Sequence, residues 1–376
     1  MNIVLWENQK RLLRNPKRWE KMAVTEWDEY LIHQLVDTID RVESDDPHFA
    51  DRFFFTCHNA EGTLELMAGL GAYPNVNVMD GFVCVRHNGV QRNIRLSRHL
   101  QGDRAKTEVG PLCFKVLEPL RRWGIYLGDN DYGIGCSLEF EGRVAPYLHG
   151  DPSGRSERPP EAMAHYTQEG RYTGSITFEG QQVNADGFLG PRDRSWGVRR
   201  PSGMGAELDP RACIYLWIHA QFSSFSLVLI YIELAEGAFH VCTGAILNDD
   251  ESVIPVVDMR HRIEFIPGVR AYNKMEMLLK DANGGERHVI AKPISHVAYM
   301  SGGGYDGRHG VDRGPFHVEG ERWDVSGPLD VKSPLFGAYT QPNHREAEFQ
   351  LDGELGVGLL ESGFSPVETW QYKPSW

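Results

Sequence analysis

The chain has 376 residues and a mass of 42.5 kDa, with 41% hydrophobic residues, enough to bury one very large core or two ordinary ones, and two is the expectation. Its 39 Lys and Arg stand against 52 Asp and Glu, a formal net charge of -13 that offers nucleic acid or an anionic membrane no electrostatic footprint. Six cysteines without a C-x-x-C pair read as buried free thiols, residues 1–21 are too polar for a signal-peptide core, and no apolar run is long enough to span a bilayer. A cytoplasmic protein without integral membrane association is therefore expected.

In chain order, the first element is the only one with a helical period. Trp27, Tyr30, Leu31, Leu35, Ile39 and Val42 recur at spacings of three and four, with Thr25 placed as an N-cap and Pro47 beyond the end. Residues 1–50 are thus read as a basic arm and one N-terminal helix, packed on the body or on a partner subunit in a homodimer. From residue 51 the text changes to short β-rich runs at 52–57, 63–70, 78–86, 90–96, 112–118 and 135–141, broken by Gly, Asn, Asp and Pro, the mark of an antiparallel meander. Residues 144–169, rich in Pro, Gly and charge, separate this unit from a second series at 172–178, 214–222, 225–234, 239–247, 261–265, 274–279 and 354–360. The expected division is a first β-domain over 51–170 and a second over 171–376. Forty glycines and almost no helix make the chain all-β, with two barrels or sandwiches, since a closed sheet has no edges to aggregate.

Several segments carry chemistry. Gly190-Pro191-Arg192-Asp193-Arg194-Ser195-Trp196-Gly197-Val198-Arg199 gathers arginines, an acid and an indole in what reads as a turn shaped by Gly and Pro. It suits a barrel corner, an acid–base site, an anion site or a solvated charge run. As an ion-paired corner, Asp193 would hold an arginine bidentately and Trp196 would plug a barrel end. An Asp flanked by arginines makes a better base or orienting partner than a general acid. In residues 214–222, one face carries Ile214, Leu216, Ile218, Ala220 and Phe222, the other Tyr215, Trp217, His219 and Gln221. The second set is what lines a ligand cavity, unless Trp217 and His219 are simply half-exposed. In residues 354–361, Glu361 closes a face of Leu355, Val357 and Leu359. Pointing inward, it would be desolvated into a proton donor; at a barrel rim it would sit in water or on an arginine. The Gly-rich residues 301–310 are either a hairpin tip or a mouth loop lending Tyr305 and His309 to the cavity. The fifteen histidines include no H-x-H or H-E-x-x-H, so no metal site is expected, and no G-x-S-x-G is present.

The Asp193-Arg194-Ser195-Trp196-Gly197 stretch, the strands at 215–218 and 225–233, and the late Gly356-Val357-Gly358-Leu359-Leu360-Glu361-Ser362-Gly363-Phe364 together resemble the AttH-like and carotenoid 1,2-hydratase family. They are closer to a bacterial branch of it than to the hydratases themselves. The resemblance implies two lipocalin-like (calycin) antiparallel β-barrels and a chemistry without cofactor, hydration of isoprenoid double bonds or cyclisation of polyenes. It places Asp193 at the family's acid position, Trp196 beside it, and Glu361 on the closing strand. Leu359 and Leu360 stand where the family has an aromatic, and Phe364 replaces its Tyr. The expectation is then a lyase, hydratase or isomerase working on a hydrophobic small molecule, isoprenoid or aromatic, in a barrel cavity. Glu361, Asp193, Tyr305 and His309 would be catalytic, and Trp196, Tyr215, Trp217, His219 and Arg192 would contact the ligand. The alternative is a non-enzymatic carrier of an apolar ligand.

Overall fold

The structure is a computed structural model in which residues 29–30, 42, 44–101, 104–149, 163–198, 212–234, 240–269, 271–327, 343–364 and 372 are described. The expected N-terminal arm and helix lie outside these residues, apart from Glu29, Tyr30 and Val42. Among the described residues no helix is long and apolar enough to cross a membrane.

The first sheet begins with the meander β1 (Phe49–His58), β2 (Leu64–Tyr73), β3 (Val78–His87) and β4 (Val90–His99). It continues through β5 (Glu108–Val109), β6 (Leu112–Glu118), β7 (Arg122–Leu127), β8 (Ile134–Gly142), β9 (Tyr147–His149), β10 (Ala164–Phe178), β11 (Gln181–Asn184) and β12 (Phe188–Val198). β12 lies between β1 and β10, which joins the two halves into one curled half-barrel. The second sheet contains β13 (Ala212–Gln221), β14 (Phe225–Leu234), β15 (His240–Asn248), β16 (Val253–Phe265), β17 (Tyr272–Asp281), β18 (Glu286–Pro293) and β19 (Ala298–Tyr299). After β20 (Phe316–Asp324) it is completed by β21 (Asn343–Leu351) and β22 (Glu354–Phe364). Because β18 pairs with both β17 and β21, eight of these strands close into a barrel. β20 returns to the first sheet and pairs with β4 along its length, so late sequence completes an early sheet. β10 likewise runs unbroken through residue 170. The all-β, lipocalin-like expectation holds, with one barrel closed and the other sheet curled without closing.

Strand alternation decides what each sheet buries. The even positions Ile214, Leu216, Ile218 and Ala220 of β13 join Leu227, Leu229, Met275, Met277, Leu279 and Phe349 in filling the barrel lumen. Among the described residues the lumen is therefore core. In the half-barrel, β1 and β2 are buried at all ten positions each, so both faces are covered. Phe53, Phe55 and Cys57 enter the first core with Leu64, Leu66 and Trp123, while Phe54, Met67, Phe82 and Cys84 meet Trp217, Met300 and Leu359 from the barrel side. The outer face of the barrel and one face of the half-barrel thus make a shared apolar seam.

The Gly190–Val198 part of the Gly190–Arg199 stretch is not a turn. Residues 188–198 form the central strand β12, and Gly190 is required by close approach, since a Cβ there would lie 2.1 Å from the Thr56 carbonyl oxygen. Once extended, the arginines alternate with Asp193. Arg192 pairs with Glu29 and Gln168, and Arg194 pairs with Asp51 and lies over the Phe53 ring, all on the first-core face. The expected bidentate Asp193–arginine corner is replaced by these pairs, because neighbours in a strand point to opposite sides.

The seam is tied by Arg86 on β3, whose Nη2 donates at 2.6 Å to both carboxylate oxygens of Glu346 on β21, with both side chains fully buried. Its Nη1 donates to the Gly62 carbonyl. Removing one partner of such a pair strands the other's charge, at about 3–5 kcal/mol. Arg86→Met should therefore lower unfolding stability by that amount in denaturant titrations; a loss below about 1 kcal/mol would mean that the pair does not hold the seam.

Candidate functional site

Where the seam meets the edge of the apolar patch, it opens into a cavity of about 120 Å³. The half-barrel supplies Arg52 and Phe54 from β1, His165 from β10, and Asp193 and Ser195 from β12; the barrel supplies Tyr215 and Trp217 from β13 and Glu361 from β22. Register explains the grouping: Phe54 lies opposite Asp193, Arg52 opposite Ser195, His165 opposite Ser195, and Trp217 opposite Glu361. Cross-strand partners share a face, so these residues reach one space from two sheets. A 3-10 turn at Met300–Gly303 and the loop after it add Met300 and Tyr305.

Glu361 is 4% exposed and its Oε2 accepts from His344 Nε2 at 3.0 Å. His344 Nδ1 donates in turn to Glu65 Oε1 at 2.7 Å, and Thr56 Oγ1 donates to the same oxygen at 3.2 Å. Burial alone would push the His344 imidazole down, but Glu65 and Glu361 on either side raise it to about 10, so it is a cation that donates both N–H groups. Glu65, opposed by burial but facing His344 and Arg86, is held down at about 2. Glu346 is pushed up to about 7, chiefly by burial and against the pull of Arg86, with Glu65 adding to the rise. Three carboxyl groups share two cations in this cluster. Glu361 is thus one end of a carboxyl–imidazole–carboxyl chain and not the isolated desolvated acid that its stripe suggested.

On the facing wall, Asp193 Oδ2 lies 3.1 Å from His165 Nε2, and each side chain keeps about a fifth of its surface exposed, 20% and 21%. His149 stacks on His165 with ring centroids 5.1 Å apart and stays neutral, its ring pushed well down by burial and by His165 and His219. Arg52 lies over the Tyr305 ring at 5.2 Å and its Nη2 meets His309 Nε2 at 3.1 Å. Gly71 makes room for its stem, since a Cβ there would lie 2.9 Å from Arg52 Cγ. His309 stands edge-on to Tyr305 and 3.6 Å from Asp80, whose carboxylate also accepts from the Gly310 amide at 2.7 Å.

Of the residues expected at a site, Glu361, Asp193, Tyr305, Tyr215 and Trp217 line the cavity, and His309 is one contact behind Tyr305. Three go elsewhere. His219 pairs with Glu169 of β10 beside Gln221, making a second buried tie across the seam. Arg192 lies in the first core, and Trp196 stands on the same face against Tyr166. Sequence reasoning missed Arg52, His165, His344 and Glu65, which carry no local motif; 279 positions separate Glu65 from His344. Among the described residues no group of three or more His, Cys, Asp or Glu is arranged to hold a metal ion.

A family model described as a family of unknown function (DUF8625) matches residues 24–362. No curated protein matches the sequence. Among solved structures, an AttH-like protein from Nitrosomonas europaea aligns with a TM-score of 0.55 at 14% identity, over 88% of this chain and 97% of that one. CghA, crystallised with Sch210972, aligns with a TM-score of 0.51 at 11% identity, over 85% and 89%. Kievitone hydratase from Nectria haematococca gives 0.45 at 8% identity, over 84% and 89%. At these identities the first two likenesses speak for the fold alone, and they agree with the lipocalin-like architecture.

The cluster behind Glu361 has a definite pH signature. His344, raised from 6.5 to about 10, contributes stability that is complete below about 6.5 and lost as pH rises through about 10. Glu346, raised from 4.5 to about 7, favours the fold while protonated and loses that contribution as pH rises through about 7. Glu65 has the opposite sign, its contribution present above 4.5 and lost as pH falls through about 2. Urea midpoints should therefore fall from pH 7 to pH 10, and His344→Gln should start lower and lose most of the slope in that window. An unchanged slope in the variant would remove His344 as the titrating group.

Proposed function

Since the chain belongs to the family of unknown function DUF8625, whose description assigns no activity, we propose its function from the seam cavity: an acid–base lyase, hydratase or isomerase that moves protons on a hydrophobic small molecule, isoprenoid or aromatic. The observation that carries this reading is the pairing, in one small and largely apolar space, of two proton-handling groups on different sheets. On the barrel side Glu361 is backed by His344 and Glu65; on the half-barrel side His165 is held by Asp193. A lone buried carboxylate would be costly, and the His344 imidazolium behind Glu361 offsets that cost.

In this reading Glu361 takes a proton from the substrate or from water. His165, oriented by Asp193, returns one to the neighbouring atom, and Tyr305 is a second hydroxyl donor. Phe54, Trp217 and Met300 supply the apolar wall that holds the carbon skeleton and keeps bulk water away from the reacting atoms. His309 acts through Arg52 and Tyr305 as a positioning residue. Asp193 is thus the orienting partner, and the acid work falls to its histidine.

Native mass spectrometry of freshly purified protein identifies the bound molecule, which then serves as the substrate for turnover and binding assays. Glu361→Gln and Asp193→Asn should each cut kcat by about 10²-fold or more while leaving Kd within about threefold. A protein that binds this molecule but shows no turnover, before or after substitution, would be a carrier and not an enzyme.

A further inference from the structure

The cavity also holds a cation with donors to spare. Arg52 is 3% exposed, and among the described residues its Nε and Nη1 have no hydrogen-bond partner although both are buried. Only Nη2 is engaged, by His309. The two carboxylates near it are occupied elsewhere: Asp193 faces His165, and Asp80 faces His309 and the Gly310 amide. No carboxylate of the described residues forms an ion pair with Arg52 within 4.0 Å. The guanidinium stays charged, for the neighbouring Tyr73, Tyr305, Asp80 and Asp193 outweigh the burial that opposes it. On the barrel wall of the same cavity, Trp217 Nε1 is a second buried donor without an acceptor.

Two unmet donor nitrogens on a buried cation cost free energy unless an acceptor arrives, and so does a buried indole N–H. Nε and Nη1 lie on different edges of the guanidinium, and the second hydrogen of Nη2 completes either edge as a fork that matches the two oxygens of a carboxylate, or the delocalised oxygens of an acidic enol. The rest of the wall is aromatic and thioether. The geometry points to a substrate that is amphipathic: an apolar skeleton bearing one anionic oxygen group, a carboxylate or enolate, which Arg52 grips from the half-barrel and Trp217 Nε1 caps from the barrel. This deepens the proposed function, because an anionic or carbonyl-conjugated group fixed beside Glu361 and His165 would set which carbon exchanges its proton.

The test separates recognition from chemistry by measuring binding alone. trans-Cinnamate and trans-cinnamamide are close in shape and differ in charge. Calorimetry on the full-length protein should give cinnamate at least tenfold tighter binding. Arg52→Lys, which keeps a charge but loses the planar fork, should bring the ratio below threefold with circular dichroism unchanged. Because a substituted Arg52 risks misfolding, a reading on the native protein stands beside it: the Trp217 indole N–H resonance, assigned with Trp217→Phe, should shift on adding cinnamate and stay in place with cinnamamide. Equal affinities, no binding of either probe at millimolar concentration, or a preference that survives in folded Arg52→Lys would each overturn the anion site. Absence of the preference in the native protein, with turnover intact, would sink this inference alone, whereas preference without turnover would sink the enzymatic reading and leave the anion site standing.

Discussion

The buried ionic chain from Arg86 through Glu346 and Glu65 to His344 and Glu361 is the constraint on which the rest depends. It crosses from β3 and β2 of the half-barrel to β21 and β22 of the barrel with no exposed member on the way. Buried ion pairs add little net stability over an apolar contact of the same volume, yet they are costly to break and tolerant of few geometries. A seam held this way has one register. The second tie, Glu169 to His219 and Gln221, acts on the same two sheets further along β13 and makes the same demand. Apolar contact among Phe54, Phe82, Trp217 and Leu359 supplies area between these ties, and the ties decide how it is aligned.

From that constraint the position of the cavity follows. The barrel lumen is filled by its own side chains, and the concave face of the half-barrel is filled by Phe53, Phe55 and Trp123 with the Arg192 and Arg194 pairs among them. Among the described residues each interior keeps a buried polar atom without a hydrogen bond, Tyr272 Oη in the barrel and Arg194 Nε in the half-barrel. The seam keeps several, and two of them, on Arg52 and Trp217, belong to residues that line a cavity between the two faces. Protein interiors seldom leave donors unmet without a ligand or a functional reason.

The sequence made the faces of single strands legible and left the pairing between strands hidden. Period-two alternation in residues 214–222 separates Trp217 from Ile218 correctly, and the same logic puts Glu361 on one face with Leu359, which is the seam face. The Gly-rich run after Tyr299 announces a loop that can lean over a site, and Tyr305 does so. Asp193 went astray for an instructive reason. Its arginine neighbours in sequence suggested arginine partners in space, but in an extended strand the residues on either side are the ones it cannot touch. Its partner is His165, one strand over. Arg52 and Glu65 sit in strands buried on both faces, where polar residues break no visible pattern, and His344 opens a strand whose far half alternates; the meaning of all three comes only from long-range register. The extended form of 188–198 was hidden too, since Gly190 and Pro191 signal a turn in isolation, whereas here the glycine serves the close crossing of β1.

One consequence concerns the relation between holding the seam and moving protons. The groups that tie the sheets are ionisable, three carboxyls around two cations. Burial pushes Glu346 up to about 7 against the pull of Arg86, so the charge of the cluster depends on pH near neutrality. Exchanging the whole cluster, cations included, for apolar residues of similar volume is the change that often stabilises, whereas replacing Glu346 alone would strand Arg86. Keeping the ionisable cluster costs stability at alkaline pH, and it leaves a titratable carboxyl one ion pair away from the hydrogen-bonded chain that ends at Glu361 on the cavity wall.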